Sequence, residues 1–203
     1  MNQRGFTLIE GVITIVIAGL LIAAALPNAS DWIRNSRIRA AADSMQIGLQ
    51  QARNEAVRRN TTVTFWLVTD PDPTALTNGC KVSSTGSAWV VSVVSPEDGC
   101  ASEPSTTTAP MIVAKQPSGN GGSGLSVSAL DSTGTAATQV TFNGFGQVTG
   151  ATSISCIKVA NTTTTGSRPL RVAISSAGQV RACDPAVTGS DPRVCLPGCD
   201  SST

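Results

Sequence analysis

The sequence predicts an α+β fold, in which one long N-terminal helix packs on an antiparallel, β-rich head of two small sheets. Three observations carry this prediction. Residues 6–26 form an apolar run with a single charged member, Glu10. A stripe of apolar residues at helical spacing continues behind it to about Asn60. Beyond Asn60 the residue types change to short β-branched and aromatic runs, separated by Gly, Pro, Ser, Thr and Asn.

As a helix, residues 6–26 would be about 31 Å long, roughly the hydrocarbon thickness of a bilayer. A secretory signal peptide has a shorter apolar core followed by a small-x-small cleavage site. Ala23, Ala24 and Ala25 are a weak match to that site, and Glu10 sits badly inside such a core. A plain membrane anchor is the other competitor. A carboxylate near the end of a membrane helix is unfavourable by a few kcal/mol unless it has a partner. The nearest basic residue is Arg4, so a charge on another molecule is the natural candidate. Pro27 ends the apolar run, and within a helix it removes a backbone bond and bends the axis, so the residues alone allow either a kink or a stop there. Behind it, Ile38, Ala42, Met45, Leu49, Ala52 and Ala56 follow at spacings of 4, 3, 4, 3 and 4. This stripe is expected to pack on the protein's own head, with the arginines mostly off it.

The head begins with the TTVTFWLVT run at 61–69. Similar runs follow at 88–95, 110–115, 125–130, 139–143, 153–160, 168–176 and 179–183. Gly146-Gln147-Val148 and Gly178-Gln179-Val180 each follow a run and read as hairpin turns. Polar loops are expected near 70–87, 96–109, 116–124 and 161–167.

Little catalytic chemistry can be built. The chain has no His, which excludes Ser-His and Cys-His pairs. Asp70, Asp72, Glu97 and Asp98 stand beside Pro or Gly and read as turn residues. Gly119, Gly121, Gly122 and Gly124 make a flexible loop, with no Lys and no following helix to form a phosphate cradle. Asp184 and Asp191 supply too few carboxylates for a calcium site. No catalytic residue, cofactor or metal is therefore expected. Six cysteines, Cys80, Cys100, Cys156, Cys183, Cys195 and Cys199, lie in the head without zinc-type spacings, and they read as disulfides made in an oxidising compartment. Proximity suggests the pairs Cys80–Cys100, Cys156–Cys183 and Cys195–Cys199. Net charge is +1 and unevenly spread. Residues 31–60 carry six Arg against three acidic residues, while residues 61–203 carry seven basic against nine acidic.

Arg4-Gly5-Phe6-Thr7-Leu8-Ile9-Glu10, with the apolar run behind it, resembles the prepilin motif of type IV pilins and type II secretion pseudopilins. The resemblance implies cleavage by a prepilin peptidase between Gly5 and Phe6, N-methylation of Phe6, and pairing of Glu10 with the N-terminal amine of a neighbouring subunit. It implies a leader at 1–5, a transmembrane and filament-core helix at 6–27, an amphipathic half at 28–60 and a disulfide-containing head at 61–203. It also decides orientation: N-terminus in the cytoplasm, head in the periplasm of a bacterial inner membrane, and later a place in an assembled filament at the cell surface.

The order of long helix, TFWLV, a Trp-centred strand, FNGFGQV and ISSAGQVRAC is similar to the GspH/FimT/FimU group of minor pilins and pseudopilins. That implies a minor pilin of a type IV pilus that helps prime assembly at or near the tip, with other pilin subunits as partners. The alternatives are the equivalent pseudopilin of a type II secretion system and a DNA-binding minor pilin for uptake. Some FimT-type members bind DNA through a Gly-Arg-x-Arg motif. Gly178-Gln179-Val180-Arg181 keeps only one of its arginines, so weak nucleic-acid contact at most is expected, through Arg181 with Arg171 and Arg193.

Overall fold

The structure, a computed structural model, describes residues 7–119, 124–162, 167–196, 198 and 199, and for residues 23–29 the backbone alone. The expected leader, the Gly5-Phe6 junction and parts of the loops at 116–124 and 161–167 lie outside the described residues.

Helix α1 spans Leu8–Arg59 and continues through Pro27 rather than stopping there. Thr7 caps its start in an extended conformation. Asn60 ends it at φ 49° and ψ 43°, a left-handed cap whose N–H reaches the carbonyls of Ala56 and Val57. Among the described residues ten strands follow: β1 (Val63–Thr69), β2 (Lys81–Val82), β3 (Ala88–Ser92), β4 (Ile112–Gln116), β5 (Leu125–Leu130), β6 (Gln139–Phe142), β7 (Val148–Thr149), β8 (Cys156–Asn161), β9 (Leu170–Ile174) and β10 (Val180–Cys183). They form two antiparallel sheets. The first has the order β4-β3-β1-β6-β7, with β2 attached to β1, and the second has the order β10-β9-β8-β5.

Strands β2 and β7 were not expected, because two residues show no periodicity. Each is defined only by its partner, Val68↔Val82 and Phe142↔Val148. The expected strand at 153–160 starts later, at Cys156. The residues before it bridge the sheets instead: the Ile154 N–H donates to the Gln139 carbonyl at 2.9 Å and the Ser155 N–H to the Leu130 carbonyl at 2.8 Å.

The stripe Ile38, Ala42, Met45, Leu49, Ala52 and Ala56 is completely buried between the sheets. It meets Val63, Phe65, Leu67, Trp89, Val91, Val140 and Phe142 from the first sheet, and Val127, Ala129, Ile157, Val159, Val172 and Ile174 from the second. Period-2 alternation places these residues on the inner faces. Gly48 sets how close the helix comes to the first sheet. A Cβ there would lie 2.8 Å from both the Phe65 and Trp89 rings. The Trp89 indole N–H donates to Ser44 Oγ at 2.9 Å on the same helix face.

Each sheet has a second, smaller core on its outer face, closed by disulfides. Over the first sheet, Val68, Val90, Ala88 and Ile112 pack with Leu76, Cys80 and Cys100. Lys115 holds this lobe down, its ammonium donating to the carbonyls of Cys100, Ala101 and Ser102 at 2.9, 2.9 and 3.0 Å. Over the second, Cys156, Ala173, Cys183, Cys195 and Cys199 cluster beneath the C-terminal tail.

Cys80 bonds Cys100, but the other two bridges are Cys156–Cys199 and Cys183–Cys195, which corrects the expected pairs Cys156–Cys183 and Cys195–Cys199. Register gives the reason. Cys156 on β8 and Cys183 on β10 flank β9, opposite Ala173 and Arg171 respectively. Two strand spacings are about 10 Å, beyond the roughly 7 Å between Cα atoms that a disulfide spans.

At the far end of α1, the nearly buried Glu55 accepts from Arg58 Nε at 2.7 Å and Nη2 at 2.6 Å, and from Arg59 Nε. The Arg58 hydrogen bond is the main reason its carboxyl is held below the ordinary value, against the opposing effect of burial. A depressed carboxyl stabilises the fold above its unfolded pKa, and that contribution is lost as pH falls through the folded one. Glu55→Gln should therefore be less stable than the native chain at neutral pH, and the two should converge in acid. Urea titrations at several pH values check this, and a gap that persists in acid would contradict it.

Candidate functional site: the assembly helix and the C-terminal lobe

Among the described residues the front of α1, from Leu8 to Ile22, is not covered by the head. Leu8, Ile9, Val12, Ile13, Ile15, Val16, Ile17, Leu20, Leu21 and Ile22 are all more than half exposed, with Leu8 at 87%. A Cβ on Gly11 or Gly19 would meet no atom within 4 Å. Among the described residues no helix is long and apolar enough to cross a membrane. Phe6 and the side chains of residues 23–27, needed to complete the expected span, are not among them.

Glu10 is exposed in the first turn of the helix, where a carboxylate suits the positive end of the helix dipole. Its backbone N–H donates to Thr7 Oγ1 at 3.4 Å, and the same hydroxyl donates to Glu10 Oε2 at 3.4 Å. The helix thus supplies a weak neutral partner that the charge pattern did not reveal. The spacing Thr7-x-x-Glu10 is the signal that could have found it, because Ser or Thr three residues before Glu is a helix-start signature. Both contacts are long, and Glu10 remains open to a stronger partner.

The arginines singled out for nucleic acid come together at the C-terminal lobe, where Arg171 and Arg181 turn to the tail and Arg193 is exposed. Arg181 Nη2 donates to the Val194 carbonyl, and Arg171 Nη1 to the Cys199 carbonyl at 3.0 Å. Both therefore clasp the tail that the two disulfides also tie down. Arg181 Nε is buried without an acceptor among the described residues. Arg193 donates to Asp191 from Nε at 3.1 Å and Nη2 at 2.9 Å, and this pairing holds the Asp191 carboxyl down to about 2. Asp184 accepts the Ala186 N–H at 2.9 Å, as a turn carboxylate does. Among the described residues no cluster of three or more His, Cys, Asp or Glu is placed to hold a metal ion.

Comparison with known proteins gives two family matches. Residues 41–178 match the family described as type II transport protein GspH, and residues 1–26 match the prokaryotic N-terminal methylation motif. No curated protein matches the chain. Two crystal forms of the type IV minor pilin FimU of Pseudomonas aeruginosa strain PAO1 are similar. One is 20% identical, covering 72% of this chain and 87% of that one, at a TM-score of 0.42. The other is 19% identical, covering 71% and 90%, at a TM-score of 0.40. The GspH match covers more than half of the chain, and the chain belongs to that family of pilin-like subunits.

Proposed function

We propose that the chain is a minor pilin of a type IV pilus, inserted in the bacterial inner membrane by the front of α1 and then packed through it into a filament, at or near the tip, where it helps prime assembly. The observation that carries this reading is the bare apolar front of α1, beginning at Leu8 and described as far as Ile22. An apolar surface of that extent calls for lipid or neighbouring helices. In this reading a prepilin peptidase cuts between Gly5 and Phe6, Phe6 is methylated, and Glu10 exchanges its weak contact with Thr7 for the amine of a neighbouring subunit. In lipid such a charge pair is poorly screened. The role is structural and not enzymatic. Nucleic-acid binding is weak, because Arg171 and Arg181 are engaged with the tail.

A second reading, a pseudopilin of type II secretion, is favoured by the description of the matching family. Deleting the gene separates the two: a minor pilin leaves fewer surface filaments, and a pseudopilin leaves secreted proteins in the periplasm.

Intact-mass analysis of sheared filaments should find the chain starting at N-methylated Phe6. Glu10→Gln should leave the protein in the membrane but lower its recovery in filaments several-fold. A start after Ala25 would mean a conventional signal peptide, and undiminished recovery of the Gln variant would remove Glu10 from assembly.

A further inference from the structure

A cleft of about 260 Å³ lies between α1 and the second sheet, lined by Asn35 and Arg39 of the helix, Arg168 and Leu170, and Ala182, Asp184 and Arg193 of the C-terminal lobe. Its walls are fixed. Asn35 Oδ1 accepts the Arg168 N–H at 2.8 Å, tying the segment before β9 to the helix. Gln46 Oε1 accepts the Ala182 N–H at 3.1 Å, and the Asp184 N–H donates to the Arg193 carbonyl at 2.9 Å. The Cys183–Cys195 bridge anchors the same wall covalently.

Charge in the cleft is unbalanced. Arg193 is neutralised by Asp191, and Asp184, whose carboxylate also accepts the Ala186 N–H, offsets one of the two remaining arginines and leaves the lining net positive. Among the described residues the guanidinium groups of Arg39 and Arg168 have no acidic partner. Two guanidinium-bearing side chains in one lining with Leu170 and Ala182 suit a carboxylate on a short aliphatic stem. Preorganised walls favour binding because little is ordered when the group enters.

We infer that this cleft is an anion site that takes an acidic side chain from the head of a neighbouring subunit in the filament. The identity of the occupant rests on the proposed function; the binding chemistry does not. A phospholipid headgroup is disfavoured by height. Asn35 and Arg39 are 9 and 13 residues beyond Leu26, about 14–20 Å along the helix, whereas the headgroup layer is about 5–8 Å thick on each side. A head with the composition of this one offers suitable groups: its residues 61–203 carry nine acidic side chains against seven basic, and Glu103 is exposed.

The test uses the full-length chain in detergent, titrated with a hexaglutamate peptide at low salt. The native chain should bind the peptide at least tenfold more tightly than Arg39→Gln/Arg168→Gln. Ala182→Glu, which places the chain's own carboxylate in the cleft, should weaken binding to the same extent. Arg37→Gln, outside the cleft lining, should bind as the native chain does. Equal affinity of the native chain and the double variant would overturn the site. Arginine-dependent binding to phosphatidylglycerol vesicles but not to the peptide would overturn the protein partner in favour of lipid. Recovery in sheared filaments, measured separately, reports on the filament reading and not on this affinity.

Discussion

Gly178→Ala is expected to destabilise the protein by about 3 kcal/mol, far more than its size suggests. Two effects add at this position. Gly178 has φ +78°, and a side chain there is unfavourable by about 1–2 kcal/mol. A Cβ would also lie 1.9 Å from the Gly146 carbonyl oxygen, so backbone must move. That carbonyl accepts from Arg53 Nε at 3.0 Å, and the neighbouring Val148 N–H donates to the Ser176 carbonyl at 3.0 Å. The turn after β6, the turn after β9 and the helix therefore meet at one point, and parting them removes hydrogen bonds of roughly 1 kcal/mol each. Gly189→Ala is the control. Its φ is +80°, but a Cβ there meets nothing within 4 Å, so only the conformational term applies. Urea denaturation of both variants in detergent measures the difference. If Gly178→Ala were no more costly than Gly189→Ala, the close approach of the two turns would be wrong.

The same junction marks where sequence reading stops. The similarity of Gly146-Gln147-Val148 and Gly178-Gln179-Val180 showed two hairpin turns, because a turn is a local event. That the turns touch depends on how two sheets are laid on one helix, which no local pattern encodes. The helix stripe and the longer strands were legible for the complementary reason: each repeats a burial period over several residues, as Ile38 to Ala56 does. Strands β2 and β7 are too short for any period. The prepilin motif was legible as chemistry, with Glu10 as its unusual member, whereas the cleft between Arg39 and Arg168 joins residues 129 positions apart and leaves no mark along the chain. Arg181 was read as a surface arginine because its strand was visible and the tail that covers it was not.

Breaking Cys156–Cys199 is expected to be the most damaging of the three disulfide losses. The C-terminal tail has no strand or helix after β10 among the described residues, so it stays on the second sheet through side chains and cross-links. Cys156 and Cys199 are 43 positions apart, against 20 for Cys80–Cys100 and 12 for Cys183–Cys195. In the chain-entropy account these separations correspond to about 4, 3 and 3 kcal/mol, the longest loop constraining the unfolded chain most. Native interactions reinforce the ranking. Arg171 reaches the carbonyl of Cys199 itself, and Leu196 packs on the cluster of Cys156, Ala173 and Cys183. Cys156→Ser/Cys199→Ser should therefore release the tail and expose the outer face of β8 and β9, while Cys80→Ser/Cys100→Ser should loosen only the lobe that Lys115 already holds. Denaturant midpoints rank the variants. Non-reducing digestion followed by stepwise partial reduction, alkylation and tandem mass spectrometry should recover Cys156 joined to Cys199. A Cys195–Cys199 bridge in that digest would restore the pairing suggested by proximity and take away the covalent hold of the tail on β8.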